Sequence, residues 1–462
     1  LAEIERPALV AGMLDLVAAV QRLRDFVAGS PSLPKVAWRI DTPLGAVVVD
    51  TTGRDDVHVL SGPLLVVDAG GNDRYEFGAR EGGRRISVLL DHGGDDEYVA
   101  LAPGADPSAA VLGYGILWDT QGDDRHRGTQ LAQASALFGA ALLVDEAGRN
   151  ELTAGGHAQG HAIGGIAVLA GGPGDDAYRA QTHAQGSAGP AGVAILVERG
   201  GDDRYTLDNS PLSRPSPQLP DRNTSMGQGA GRGLRTDAAD GRSAAGGIGI
   251  LVDLAGNDRY EAQVFAQGVG FREGLGILVD DAGDDRYEAA WYAMGAAAPR
   301  GAGVLLDRGT GRDRYRATHS QSLGAAHDFS VGFFLDEGGD DRYHAGALGL
   351  GAANDNGIAL FVDAAGDDAY GVDAEGCLAF GAARIGEWGS PRDDLPNVGL
   401  FMDLGGDDSY PSHCAQVRND AAWAAPRRWP SRALRGESGA GIDGRFPSPF
   451  ATGRSTGGGR AP

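Results

Sequence analysis

Acidic residues recur at fixed spacing along this chain of 462 residues, and they are its most frequent candidates for chemistry. A Gly, an Asp or Asn, a second Asp, often an Arg and then a Tyr form one short motif. We call the second Asp, two residues before the Tyr, the inner Asp. We call the acid about seven residues before the Tyr, which follows an apolar run, the strand-end acid. Carboxylates arranged in this way can bind a hard cation such as calcium or cap a turn.

The motif is repeated along most of the chain. Clear copies occupy residues 68–75, 91–98, 280–287, 336–343, 363–370 and 403–410. Weaker copies occupy residues 119–126, 145–152, 171–178, 198–205, 253–260 and 307–315, and an imperfect one opens the series at 50–57. Ten of the twelve tyrosines stand at the same motif position, so we interpret the motif as one repeating structural unit.

The spacing of the motif predicts which of its side chains face inwards. Residues two apart on a strand share a face, so the inner Asp and the Tyr should point the same way. The intervening Arg should point outwards and pair with the Asp or Asn just before the inner Asp. Inner carboxylates stacked about 4.8 Å apart would repel by about 3 kcal/mol per pair at an effective dielectric near 20. Calcium or turn N–H groups must then offset that repulsion, since raised pKa values are not expected for a dozen groups at neutral pH.

The acids are therefore predicted to bind calcium at several coils, with turn capping through the backbone as the alternative. The candidate ligands among the strand-end acids are Asp68, Asp91, Asp119, Asp253, Asp280, Asp336, Asp363 and Asp403. The candidate ligands among the inner residues are Asp73, Asp96, Asp124, Asp176, Asp203, Asp258, Asp285, Asp341, Asp368 and Asp408.

The period of the motif predicts the architecture that positions these acids. Successive Tyr positions between 260 and 370 lie 27 or 28 residues apart. That period suits one coil of a β-solenoid with two or three short strands and is too short for a propeller blade. Glycine makes up 76 residues, which disfavours helical repeats. We expect an all-β, right-handed parallel β-solenoid (β-helix) of about 12 coils.

Three segments lie outside the predicted array of residues 41–410. Residues 1–40 are predicted to form an N-terminal helical cap for the first coil, because exposed solenoid ends present unpaired strand edges. Residues 207–243 interrupt the array as an insertion rich in Pro, Ser, Arg and Gly. Residues 411–462 form an Arg/Pro/Gly-rich tail. The tail is predicted to dock on the acidic array of its own or another copy, and its deletion from residue 415 to abolish assembly.

The Gly-Asn-Asp-Arg-Tyr sequences at 71–75 and 256–260 resemble the second half of the calcium-binding RTX nonapeptide, which builds parallel β-rolls. The resemblance implies calcium between stacked coils at the inner Asp. Two features depart from the RTX pattern, namely a period near 27 instead of nine and an acid in place of the first glycine. That acid is either an additional ligand or a turn cap.

Other candidate groups stand at fixed offsets after the Tyr position. Gln133, Gln159, Gln185 and Gln267 lie seven residues after it and are predicted to form an amide ladder. His157 and His183 lie five residues after it on adjacent coils, with His161 nearby. They form either a metal or acid–base site or further ladder members. Cys377 and Cys414 fall on the last two coils and are candidates for a disulfide.

Composition restricts the partners of the chain. A formal net charge of −23 argues against nucleic acid and anionic lipid as ligands. No window of about 18 apolar residues predicts a membrane span. The chain begins at Leu1 with no visible signal peptide, as a processed secreted protein would, and we expect an extracellular, cell-surface or periplasmic location where calcium is abundant.

These observations lead to two alternative predictions of function. The first is a calcium-stabilised structural, adhesive or assembly protein, with filament formation as a variant, whose partners are further copies, a surface protein or a glycan. The second is a polysaccharide-active β-helix enzyme, a lyase or hydrolase. No Gly-x-Ser-x-Gly elbow, P-loop or Cys–His pair supports the second. The irregular stretch Trp388–Asp394 and the insertion are the candidates for a groove.

Overall fold

The protein is a β-solenoid with one N-terminal helix, as the sequence predicts, and it has about 11 turns where about 12 were expected. The computed structural model describes residues 5–30, 32–79, 86–236, 242–373, 376–384, 392, 395–424 and 437–444. Most turns contribute one strand to each of three parallel sheets, which we name A, B and C in the order in which the chain visits them. The predicted irregular stretch Trp388–Asp394 lies, apart from Arg392, outside the described residues.

Sheet A contains the longest strands, and each apolar run of the repeat forms one of them. Its strands, in spatial order, are Ala37–Thr42, Gly45–Asp50, Leu65–Asp68, Ile86–Leu90, Tyr114–Asp119, Ala140–Asp145, Ile166–Ala170, Val193–Val197, Ile248–Asp253, Leu275–Asp280, Ala302–Asp307, Val331–Asp336, Ile358–Asp363, Asn397–Asp403, Glu437–Asp443 and Ala422–Ala424.

Sheet B follows the Gly-Asp turn and carries the Tyr column. Its strands are Val57–Leu60, Arg74–Phe77, Glu97–Ala100, Arg125–Arg127, Glu151–Thr153, Ala177–Ala180, Arg204–Leu207, Arg259–Glu261, Arg286–Ala289, Arg314–Ala317, Arg342–Ala345 and Ala369–Val372. Most tyrosines pair in register with the Tyr of the next turn, for example Tyr260 with Tyr287, while His126 and Leu152 take the Tyr position in two turns.

The strands of sheet C are only two or three residues long, because the chain soon returns to sheet A. Its strands are Ala110–Val111, Ser135–Leu137, His161–Ile163, Ser187–Ala188, Gly231–Arg232, Gly270–Phe271, Ala297–Ala298, Ala326–His327, Ala353–Asn354 and Ala383–Arg384. Shorter ladders lie at the corner between sheets B and C and in the insertion. They comprise Gln130–Ala132, Gly156–Ala158 and Thr182–Ala184, then Thr224–Gly227 with Val264–Ala266, and Leu234–Thr236 with Arg242–Ala244. A 3-10 turn spans Gly376–Leu378.

Stacked rings and aliphatic side chains fill the inside of the rod. Leu251, Leu278 and Leu305 of sheet A and the Tyr column of sheet B belong to one continuous core. The rings of Tyr260 and Tyr287 are stacked with centroids 4.7 Å apart. This spacing equals the distance between hydrogen-bonded strands, so every Tyr packs between the equivalent residues of neighbouring turns.

The turn between sheets A and B requires glycine at one position. At Gly94 the backbone has a φ of 140°, and a Cβ there would lie 1.5 Å from the carbonyl oxygen of Gly71 in the preceding turn. Gly122 meets the oxygen of Gly94 in the same way. A Cβ atom would clash at this position, and L residues rarely adopt its φ. Stacking of the turns therefore requires glycine here.

The N-terminal helix α1, Arg6–Gly29, does not cap the first coil as predicted. Its Val20 and Val27 pack on Val88, Ile116 and other apolar side chains on the outer face of sheet A. That outer face is apolar here, and burying it stabilises the helix along the side of the rod.

Antiparallel strands cover both ends of sheet A instead of a helix. Ala37–Thr42 pairs antiparallel with Gly45–Asp50 at the first end, and Ala422–Ala424 pairs antiparallel with Glu437–Asp443 at the last. Glu437–Asp443, from the segment assigned to the tail, adds a parallel strand next to Asn397–Asp403. An edge strand that carries Arg39 and Asp41 is a poor template for pairing with another chain.

Candidate functional site

Both predicted acid columns lie inside the rod. The inner residue Asp258 and the strand-end residue Asp253 are 2% and 0% exposed, and the neighbouring Tyr260 is fully buried. All eighteen candidate ligands are buried, which agrees with the prediction that inner Asp and Tyr share a face. The two columns therefore form a row of carboxyl groups at the turn between sheets A and B, out of contact with water.

Each inner Asp accepts a hydrogen bond from the backbone of the preceding turn. The Oδ1 atom of Asp96 accepts the N–H of Asp73 at 2.6 Å, and that of Asp285 accepts the N–H of Asp258 at 2.7 Å. The same bond recurs from turn to turn and ends at Asn419, which accepts the N–H of Asp408. Turn N–H groups thus offset part of the charge, one of the two compensations expected.

The second oxygen of most inner Asp residues has no hydrogen-bond donor. Nine Oδ2 atoms are buried without one, those of Asp73, Asp96, Asp124, Asp176, Asp203, Asp258, Asp285, Asp368 and Asp408. A buried carboxylate oxygen without a donor is costly unless it is protonated or bound by a cation.

The strand-end acids cap the turn and also bind the tyrosines. The Oδ1 atom of Asp91 accepts the N–H of Gly93 at 3.0 Å, two residues further along the chain. The Oδ2 atoms accept hydrogen bonds from the tyrosine hydroxyls. The Tyr287 hydroxyl, for example, donates to Asp280 at 3.1 Å and to Asp307 at 2.9 Å. Each such strand-end acid therefore caps the turn through one oxygen and directs the other towards tyrosine hydroxyls of the core.

The outward Arg residues do not pair as predicted. Arg259 donates to Glu261, two residues further along its own strand, at 2.6 Å. The acid just before the inner Asp accepts a backbone N–H instead, as when Asp95 Oδ1 accepts that of Asp123 at 3.0 Å. Arg and Glu two apart share the outer face of the strand, whereas that Asp belongs to the turn.

Carboxyl groups of the two columns converge in groups of three. One oxygen each from Asp68, Asp73 and Asp91 lie within 4.8 Å of one another. Further groups are Asp91 with Asp96 and Asp119, and Asp203 with Asp253 and Asp258. The first two groups combine one inner Asp with the strand-end acids of its own and the next turn, and the third combines two inner Asp residues with one strand-end acid. Every group joins residues of two turns, so only stacking creates it.

Raised pKa values, which the sequence argument discounted, are a property of this site. Burial, followed by the charge of Asp253, raises the pKa of Asp258 to about 10. Burial raises the pKa of Asp96 to about 9 and that of Asp285 to about 7. Burial penalises the ionised form because it removes the carboxylate from water, and the neighbouring carboxylates penalise it further. Without a cation, many inner Asp residues would hold a proton at neutral pH.

Some members of the columns were not among the predicted ligands. Asp145, Glu198, Asp307 and Asp443 continue the strand-end column, and Asp313 the inner one. Asp313 could have been found from its fixed position two residues before Tyr315. At Asn150 an amide replaces the inner carboxylate and still accepts the N–H of Asp124 at 2.9 Å.

The Gln column forms a ladder, but most of its bonds are not amide to amide. Gln159 Nε2 donates to the carbonyl oxygens of Leu152 at 2.8 Å and of Arg179, one turn further, at 3.1 Å. Gln228 makes the equivalent pair of bonds to Tyr205 and Glu261. Because of the insertion, Gln228 does not lie seven residues after a Tyr position, so it could not be found from the sequence spacing.

The three predicted histidines do form one cluster, together with two Arg residues of the insertion. His157 Nδ1 lies 3.0 Å from His161 Nε2, and the rings of His157 and His183 stack at 4.7 Å. Arg214 and Arg232 reach the outer ring nitrogens of His157 and His183 at 3.5 and 3.2 Å. The cluster occurs once among the described residues, unlike the acid columns.

The two cysteines, Cys377 and Cys414, form a disulfide that links the last turns of the rod. No helix among the described residues is long and apolar enough to cross a membrane. Comparison of the chain with family models, curated proteins and solved structures gave no match.

Proposed function

We propose that this chain is a calcium-stabilised β-solenoid that serves outside the cytoplasm as a rigid structural or adhesive scaffold. One observation carries the proposal: groups of three buried carboxyls recur along the rod at the turn between sheets A and B. A catalytic carboxylate pair is expected once per protein, whereas a repeated group supports the architecture.

The residues at these groups fit a hard divalent cation. Asp203, Asp253 and Asp258 bring three carboxyl groups together, and the Oδ2 atoms of Asp203 and Asp258 have no donor. Oxygen ligands of this kind are the ones calcium prefers. Bound calcium would neutralise the column and release the protons that burial holds on it.

The disulfide and the covered edges support the remaining parts of the proposal. A Cys377–Cys414 bond is typical of proteins that mature in an oxidising compartment. Because antiparallel strands cover both ends of sheet A, the structure favours a scaffold with lateral partners over an end-to-end filament.

The groove beside the predicted insertion offers little support for the enzyme alternative. A cavity of about 360 Å³ lies between sheet B and the insertion, and Glu261 and Glu288 line it. Both carboxylates form ion pairs, with Arg259 and Arg286, so neither is free to act as acid or base.

Thermal unfolding after removal of divalent ions tests the calcium part of the proposal. EDTA should lower the melting temperature by several degrees, and millimolar calcium should restore it, because calcium binds the folded chain alone. An unchanged melting curve would leave turn capping as the sole role of the acids. Incubation with acidic polysaccharides tests the scaffold part, since turnover would favour the lyase or hydrolase.

A further inference from the structure

The cluster of three histidines and two arginines marks the place where the insertion folds back on the rod. His157 and His161 lie on one turn and His183 on the next. Both arginines lie within the predicted insertion, Arg214 in its irregular part and Arg232 on the sheet C strand Gly231–Arg232. Nothing in the solenoid architecture requires basic groups there, so the cluster needs its own explanation.

The hydrogen bonds around the cluster assign a proton to each ring. Arg214 is a donor, so His157 Nε2 must accept, and the ring proton is on Nδ1. That proton points at His161 Nε2, which leaves the proton of His161 on Nδ1 facing Ser187 Oγ at 3.3 Å. Ser187 in turn donates to the carbonyl of Met226 at 2.8 Å. A continuous series of hydrogen bonds thus runs from Arg214 through the two histidines to the carbonyl oxygen of Met226.

His183 follows the same rule on the neighbouring turn. Arg232 donates to its Nε2 atom, so Nδ1 carries the proton and faces Thr182 Oγ1 at 2.7 Å. The Thr182 hydroxyl in turn donates a hydrogen bond to the carbonyl oxygen of Thr224. All three histidines are therefore neutral, which agrees with burial lowering the pKa of His157 to about 4.

The predicted metal or acid–base role does not fit this arrangement. The lone pair of each imidazole already accepts a hydrogen bond, from Arg214, from His157 or from Arg232. A metal ion would have to displace a guanidinium and then sit beside its positive charge. The histidines instead hold two guanidinium groups in place.

The arginines lack a negative partner. Arg232 is partly buried, its Nε atom is fully buried without an acceptor, and no described carboxylate pairs with it or with Arg214. Arg272 lies in the next turn, directly after Phe271, which pairs in register with Arg232. Elsewhere on the rod Arg24, Arg179 and Arg259 each contact an acid. A buried guanidinium without a counter-charge is unfavourable in an otherwise acidic protein.

We propose that Arg214, Arg232 and Arg272 bind an oxyanion, which supplies the missing counter-charge. Guanidinium groups present paired N–H donors that match carboxylate, phosphate and sulfate oxygens. Such a group can come from a small inorganic ion or from an acidic sugar in a polysaccharide chain. The site is independent of the calcium proposal, because it shares no residue with the acid columns.

Titration calorimetry of the full chain with inorganic phosphate, sodium sulfate and oligogalacturonate tests this assignment. We expect the chain to bind at least one of these anions. The Arg214→Gln and Arg232→Gln variants should each bind it at least about tenfold more weakly than the original chain, since each loses charged hydrogen bonds. The matched control is Arg149→Gln, an exposed arginine that faces Asp123 on the other side of the repeat. Its affinity should equal that of the original chain.

Two comparisons make the result decisive. Binding of phosphate or sulfate indicates a small-ion site, whereas binding of the oligosaccharide alone indicates a glycan site, and both support the assignment. No heat and no rise in melting temperature with any of the three anions overturns it. Unchanged affinity in Arg214→Gln also overturns it, and because Arg214 is exposed, that variant is expected to fold even if Arg232→Gln does not.

Discussion

At the scale of single residues, the inner aspartates combine two roles that are separable. Oδ1 accepts a backbone N–H, and Oδ2 faces other carboxyls. Asn150 shows that an amide fulfils the first role without the second. A carboxylate is therefore not required for stacking one turn on the next, and the proposed calcium binding would give it a second role.

Replacing Asp258 by Asn tests the separation. Asp258 has a raised pKa of about 10, so its contribution to stability is present at acid pH and is lost as the pH rises through that value. In EDTA at pH 9, the Asp258→Asn variant should have a melting temperature several degrees above that of the original chain. Added calcium should raise the melting temperature of the variant by less than it raises that of the original chain. The control is Asp284→Asn, an exposed residue whose Oδ1 also accepts an N–H. A calcium response equal to that of the original chain would contradict calcium binding at this turn.

At the scale of elements, the Tyr column joins sheet B to sheet A. Each ring stacks on its neighbours, and its hydroxyl reaches the strand-end acids across the turn. The ring supplies apolar burial and the hydroxyl supplies a donor to a buried carboxylate. Both contributions come from one side chain, which explains why Phe does not replace Tyr at this position in the clear copies.

Two variants of Tyr287 separate these contributions. Tyr287→Phe should lower the free energy of unfolding by about 1–3 kcal/mol, because Asp280 and Asp307 each lose a donor. Tyr287→Ala should cost about 3–5 kcal/mol, because the ring is also removed from the core. Denaturant unfolding of both variants measures the difference. Equal losses would mean that the hydroxyl, and not ring packing, dominates.

At the scale of the whole molecule, the acid columns make stability depend on pH. Inner Asp residues have folded-state pKa values raised by burial, for example to about 9 at Asp124. The unfolded chain titrates near the ordinary Asp value of about 3.9. Between these values the folded chain holds more protons, so its stability falls as the pH rises.

Melting curves at pH 5, 7 and 9 check this dependence. In EDTA the melting temperature should decrease from pH 5 to pH 9, and millimolar calcium should remove most of the decrease, because the ion takes the place of the lost protons. The same decrease with and without calcium would show that protons alone neutralise the columns.

The tail prediction changes once its strands are known. Glu437–Asp443 covers the strand Asn397–Asp403, and Ala422–Ala424 pairs in turn with Glu437–Asp443. Deleting residues 415–462 would expose that edge, so we now expect the truncated chain to associate more, not less. Light scattering after size exclusion measures the mass, and a monomeric truncated chain would contradict the expectation.

The sequence by itself determined the solenoid and the inward columns. A motif with a period near 27 can stack in one way, and the alternation of a strand places Asp258 and Tyr260 on the same face. The tertiary structure decided which groups meet between turns. The N–H that Asp285 accepts, the covering of sheet A by the tail and the contact of Arg232 with His183 all depend on neighbours far away in the chain. Periodicity describes one turn well, but an insertion or a terminal segment follows no period, so its position is set by the surface that it can bury.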